Sequence, residues 1–210
     1  MLNEDHRNNL RGRADAVASS IHLAWTYFQI LKGMQEASAD DPESPLTHPH
    51  AYDAIYRAVF HALYLAVGQV TDTRKDVESL NTLEAMARRY PVEREKVAKV
   101  HRVVLGVIRP DSDSPLSRLR RWRDLHAAHR TMDASNPAFY VENKLNLGEV
   151  EQAIASLDAA LSEISWELLG YRYLNRDSTE VVAASCAALL TRYGQLGRAG
   201  GVEGASNPKA

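Results

Sequence analysis

The sequence predicts an all-α protein, an antiparallel up-and-down bundle of five or more helices, on three observations. Apolar residues recur every three or four positions through most of the chain, the repeat of a helix with one buried face. Strand signals are nearly absent: no Asn-Gly or Asp-Gly hairpin turn occurs, and Ala is abundant. The segments between periodic stretches are mostly short and polar, as connections between packed antiparallel helices are.

The first helix is expected from about Leu10 to Ala37, its stripe made by Val17, Ile21, Trp25, Phe28 and Leu31. Asp40 to Pro45 then forms a polar, proline-bearing surface loop. A second helix opens at Pro49, which a first turn tolerates because its missing N–H would be unpaired there, and carries Ile55, Val59, Leu63 and Val67 to about Val70. A turn over Thr71–Asp76 leads to two shorter helices, Ser79–Tyr90 and Glu93–Ile108. Pro110 and the Asp/Ser run 111–114 break and re-cap the chain, and the next helix spans about Pro115 to Thr131. A loop through Asn136 and Pro137 ends at Asn146, which with Glu149 makes a capping box for a long helix through Ile154, Leu157, Leu161, Ile164 and Leu168 to about Tyr173. Asp177, Ser178 and Thr179 cap a last helix, about Glu180 to Leu196. With no internal repeat or linker, residues 1–196 read as one helical domain and 197–210, rich in Gly, Ala and Ser, as a disordered tail.

Composition limits the functional classes. The chain has 210 residues, 45% of them hydrophobic and 25% charged, which suffices for a core without disulfides. A net charge of −2 excludes a globally basic nucleic-acid coat protein and leaves room for a local basic patch. The single cysteine, Cys186, cannot form an intrachain disulfide, the start has no signal-peptide core, and no apolar run spans a bilayer. The expected location is the cytoplasm, without a membrane partner. No P-loop, no His-Glu-x-x-His and no paired Glu-x-x-His is present, so no cofactor and no metal site is expected. His48 and His50 flanking Pro49 read as a solvated helix start. His22, His61 and His101 read as half-buried or flanking, and Cys186, Trp25 and Trp166 as core.

The helix over 115–131 stands apart. Between Arg118 and Arg130 it holds five arginines (118, 120, 121, 123 and 130) against one acid, Asp124, followed by His126 and His129. Helical spacing sets Trp122, Leu125 and His129 on one stripe, with Trp122 and Leu125 towards the core, and Leu119, Arg123, His126 and Arg130 on the neighbouring stripe. A guanidinium, a carboxylate and one or two imidazoles thus gather around one patch. Histidine can take a proton from a ribose 2′-hydroxyl or return one to a leaving oxygen near neutral pH. Arginine's fork of donors suits a phosphate and the added charge of a phosphorane-like transition state. An Arg followed directly by Asn, Asp or His and then by a His at this spacing arises by chance about 0.3 times in a chain of this composition, so the surrounding sequence has to carry the argument.

That surrounding sequence resembles a known family. Arg123-Asp124 followed by His129 resembles the Arg–polar–His signature of the HEPN superfamily. The stretch from Ala58 to Lys75 with Ser79-Leu80, and the helix opening Asn146-Leu147-Gly148-Glu149-Val150, are similar to the abortive-infection AbiU-type branch, the likeness running from about Ala14 to Leu174. The resemblance implies a helical bundle that dimerises with two Arg/His motifs near the twofold axis. It further implies a metal-independent endoribonuclease, a toxin or phage-defence effector that an antitoxin protein can hold. Arg123 would stabilise phosphate charge, His129 would act as acid or base, and Asp124 would orient Arg123 or contact substrate. His126 would be auxiliary, with Arg120, Arg121 and Arg130 attracting RNA. The alternative reading is a catalytically silent RNA-binding or protein-interaction module, or a dimer seam, on the same fold.

Overall fold

The computed structural model describes residues 2–40, 49–125 and 137–201. Among them the chain is helix and turn with no strand: α1 (Glu4–Asp40), α2 (Pro49–Val70), α3 (Leu80–Arg89), α4 (Arg94–Ile108), α5 (Pro115–Arg123), α6 (Pro137–Glu142), α7 (Leu147–Leu169) and α8 (Glu180–Gly201), the last preceded by a 3-10 turn at Asp177–Thr179. The predicted all-α bundle is therefore found. No helix among the described residues is long and apolar enough to cross a membrane.

The central element is α1, whose 37 residues make it about 55 Å long at the helical rise. Its predicted stripe is buried throughout, from Leu10 and Val17 through Ile21, Trp25 and Phe28 to Leu31. It begins earlier than expected. The Asn3 side chain accepts from the His6 amide at 2.8 Å, and Glu4 and Asp5 favour the first turn, so capping rather than the first apolar residue sets the start.

Helix directions follow from paired contacts. Trp25 donates its indole N–H to Asp158 at 3.2 Å while Tyr173 reaches back to Asp15, so α7 runs antiparallel to α1. His22 meets Ser178 and the Ile30 carbonyl meets Cys186, so α8 runs parallel to α1. Asp158 also accepts from Asn175 at 2.7 Å, and the Arg176 guanidinium lies 5.3 Å over the Trp25 ring, which fastens the α7–α8 connection to the core. At the other end α3 lies against the start of α1, through Arg13–Glu78 and the stacked rings of His6 and Tyr90. One cluster unites Leu63 and Val67 of α2, Leu80 and Leu83 of α3, Val100 and Val104 of α4, Leu116 and Leu119 of α5, and Ile154, Leu157 and Leu161 of α7 with the α1 stripe. Each such side chain stabilises the fold by about 1.5–3 kcal/mol.

Several details differ from the expectation. Gly170 takes a left-handed conformation (φ 82°) and its N–H caps Ser165 and Trp166, ending α7 at Leu169 rather than near Tyr173. The expected loop after Pro137 is instead the short helix α6, which Pro at a first turn permits. Trp166 is 52% exposed, covered by Arg172 rather than by the core, and Ile55 is 46% exposed because α2 turns that face outward. Ser79 and Thr82 form a reciprocal capping box for α3, and the expected Asn146–Glu149 box opens α7. Residues 41–48 and 202–210, where the surface loop, His48 and most of the tail were expected, lie outside the described residues. α8 extends past the expected Leu196 to Gly201.

α1 and α8 cross closely at Gly33. A Cβ on Gly33 would lie 2.5 Å from the Ala183 carbonyl and 2.9 Å from Cys186 Cβ. Gly33→Val is expected to cost about 1–3 kcal/mol by overpacking. The check is a lower Tm together with faster reaction of Cys186 with a thiol reagent.

Candidate functional site

The site begins at α5. Ser114 caps it, accepting from the Ser117 amide at 3.2 Å, and Pro115 supplies a first turn without a donor to leave unpaired. Leu116 and Leu119 are buried, as is Leu125 just after the helix. Leu119, on the stripe beside Arg123, faces the core, and Trp122, expected towards the core, is half-buried at the boundary, donating its indole N–H to the Asn143 carbonyl at 2.9 Å. The difference arises because α5 is clamped on two sides, by α2 and by α7, so its buried face is broader than a single stripe.

Three of the five arginines, Arg120 and Arg121 of the expected RNA-attracting set and Arg118 beside them, are tied to backbone carbonyls. Arg118 reaches the Lys144 carbonyl and pairs with Glu149, the capping-box residue of α7. Arg120 donates to the carbonyl of Ile108, the last residue of α4, and Arg121 to that of Ser112. These carbonyls have no partner within a helix, so the cations satisfy groups that would otherwise be exposed or orphaned. Burial lowers the Arg120 pKa and the nearby Arg123 charge lowers it further, with Asp124 and Asp72 opposing.

Arg123 is placed differently. Its side chain lies flat across α2 at Gly68, where a Cβ would come within 2.1 Å of Arg123 Cδ and 3.0 Å of Cγ. Only a residue without a side chain allows that crossing. Nε donates to Asp124 Oδ1 at 2.8 Å, Nη2 donates to the same oxygen, and Nη1 donates to the Gly68 carbonyl at 3.1 Å. Asp124 thus holds two of the guanidinium's three nitrogens. Among the described residues three of the guanidinium's five N–H groups have partners, leaving one on each terminal nitrogen, enough for a bidentate phosphate contact. The side chain keeps 23% of its surface exposed.

Asp72, in the turn after α2, completes the arrangement. Burial raises its pKa, but hydrogen bonds from the Arg74 side chain and amide, with the charges of Arg74 and Arg123, outweigh that and hold the carboxyl below its ordinary value. Its clasp on Arg74 has the amide contact at 2.8 Å and the Nη2 contact at 3.1 Å. Neither Gly68 nor Asp72 was singled out as a site residue. The available signal was a glycine within a helix, which costs about 1 kcal/mol relative to alanine unless close packing calls for it. His126, His129 and Arg130 lie outside the described residues, so of the expected site residues the structure brings together Arg120, Arg123 and Asp124 and sets Arg121 apart on the 111–114 turn. Among the described residues no group of three or more His, Cys, Asp or Glu side chains could hold a metal ion.

Comparison with known proteins gives one match: the family model of HEPN AbiU2 proteins covers residues 4–184. No curated protein and no solved structure matches the chain.

Two outcomes are expected here. Gly68→Ala should leave the Tm within a few degrees of the parent, since helix propensity gains about 1 kcal/mol. It should displace Arg123, and a phosphate-dependent property should fall as far as in Arg123→Ala; RNA binding and cleavage beside thermal melts measure both. Asp72 has a folded pKa below its unfolded value, so its clasp contributes stability above the unfolded pKa that is lost as pH falls through the depressed one. Asp72→Asn should lower the Tm at pH 7 and flatten the acid limb of the Tm–pH curve.

Proposed function

The chain belongs to the HEPN AbiU2 family, and from that premise we propose that it is a toxin-type effector of an abortive-infection system that acts as a metal-independent endoribonuclease. The observation that carries the reading is Arg123: fixed by Asp124 and the Gly68 carbonyl, it keeps a matched pair of donors for a phosphate. An arginine aligned in advance needs little reorganisation when charge builds on the phosphate.

In the proposed reaction His129 takes the proton of a ribose 2′-hydroxyl, whose oxygen attacks the adjacent phosphorus. The P–O5′ bond breaks and the leaving oxygen takes a proton from an imidazolium, His129 of a second copy or His126. The products are a 2′,3′-cyclic phosphate and a 5′-hydroxyl. Arg123 balances the additional negative charge on the non-bridging oxygens, and Arg130 with Arg121 attracts the RNA backbone. A homodimer with its two motifs near a twofold axis would supply acid and base together, and a protein antitoxin would act by covering that surface.

One observation favours the second reading, a silent RNA-binding or protein-interaction module. Arg118, Arg120 and Arg121 are occupied with backbone carbonyls and so serve the fold first.

Purified chain incubated with cellular RNA in EDTA is expected to leave 2′,3′-cyclic phosphate ends. His129→Ala and Arg123→Ala should each lower the cleavage rate by about 10²–10⁴. Unchanged cleavage by His129→Ala removes the proposed active site. Salt-sensitive binding without any cleavage establishes the silent module instead.

A further inference from the structure

One face of α2 carries Tyr52, Tyr56, Phe60 and Tyr64, one aromatic per helical turn, with ring centroids 6.3, 6.4 and 5.7 Å apart in succession. From α5, Trp122 meets Phe60 edge-on at 5.6 Å, and from α6, Tyr140 meets Trp122 at 5.5 Å. Between these elements lies a cavity of about 560 Å³, walled by Tyr56, Phe60, Trp122 and Tyr140. That volume falls within the ~300–1,000 Å³ typical of small-ligand sites. Arg57 and Lys144 stand at its edge against one acid, Asp53, which pairs with Arg57 at 2.8 Å, so the rim is net positive. The reaction proposed above uses none of these residues.

We propose that this cavity is a nucleobase subsite, seating an unpaired base of the RNA strand whose phosphate Arg123 holds; it thus rests on the RNA reading and extends it. Stacking faces ringed by cations are the chemistry that binds single strands irrespective of sequence, the bases meeting aromatic rings and the phosphates meeting Lys and Arg. Position agrees. Trp122 directly precedes Arg123, and Gly68, under the Arg123 guanidinium, is one turn beyond Tyr64 on the same helix. Phe60 and Gly68 are eight residues apart, about 12 Å along α2, a distance that a few nucleotides of single strand bridge. An acidic peptide would find charge at this rim but no use for a wall of aromatic rings.

The test compares a labelled 2′-O-methyl RNA decamer, which lacks the nucleophile and stays intact, with a matched abasic decamer, using fluorescence anisotropy and the full chain. The parent is expected to favour the base-bearing strand by about tenfold or more, the scale of one base–aromatic stack. Tyr56→Leu and the more exposed Tyr140→Leu, each checked by thermal melt, should each remove most of that preference and leave abasic binding unchanged. Variants that keep the preference, or that weaken both strands equally, overturn the subsite, and so does a parent that binds neither strand. A parent that prefers bases but cuts no RNA keeps the subsite and removes the ribonuclease. A parent that cuts RNA while both variants bind as it does removes the subsite and keeps the ribonuclease.

Discussion

A helix of 37 residues cannot stand alone in water with a full apolar stripe, and the burial of α1 organises everything described above. From Leu10 to Leu31 its inward positions are almost wholly covered, and this needs α2, α3, α7 and α8 around it. Polar anchors then set how those helices slide. The Trp25–Asp158–Asn175 chain of hydrogen bonds fixes α7 against α1 and the α7–α8 connection against both. At the far end Arg13 and His6 hold the start of α3. A core of leucines and valines tolerates small slips, whereas a buried indole N–H and a carboxylate that must meet do not.

α1 holds α2 in place along its own length. α2 turns Leu63 and Val67 to the core, an aromatic ladder to a cavity and Gly68 to Arg123. The glycine permits a close approach that places a cation over the backbone and uses its carbonyl as an acceptor. The same helix then ends at Val70 and delivers Asp72 into reach of that cation's charge. Cavity and cation are therefore positioned by one helix.

The arginine cluster shows a division that composition cannot reveal. Arg118, Arg120 and Arg121 donate to the carbonyls of Lys144 after α6, Ile108 at the end of α4 and Ser112 in the turn that follows it, and Glu149 serves both the α7 cap and Arg118. Their positive charge still contributes to the local potential, while their donors are committed. Arg123 combines fixed geometry with unspent donors, and that combination separates it from its neighbours.

The sequence by itself determined the helical class, the order of the helices, the α1 stripe and the Asn146 capping box, because period, caps and breakers act within a few residues of one another. The Arg123–Asp124 pair was legible for the same reason. Tertiary structure alone decided which arginine remains available, that Leu119 faces inward while Trp166 and Ile55 face outward, and that Gly68 and Asp72 belong with Arg123. Such facts depend on contacts between residues some fifty positions apart, where one helix crosses another. No local pattern encodes which atoms will meet there.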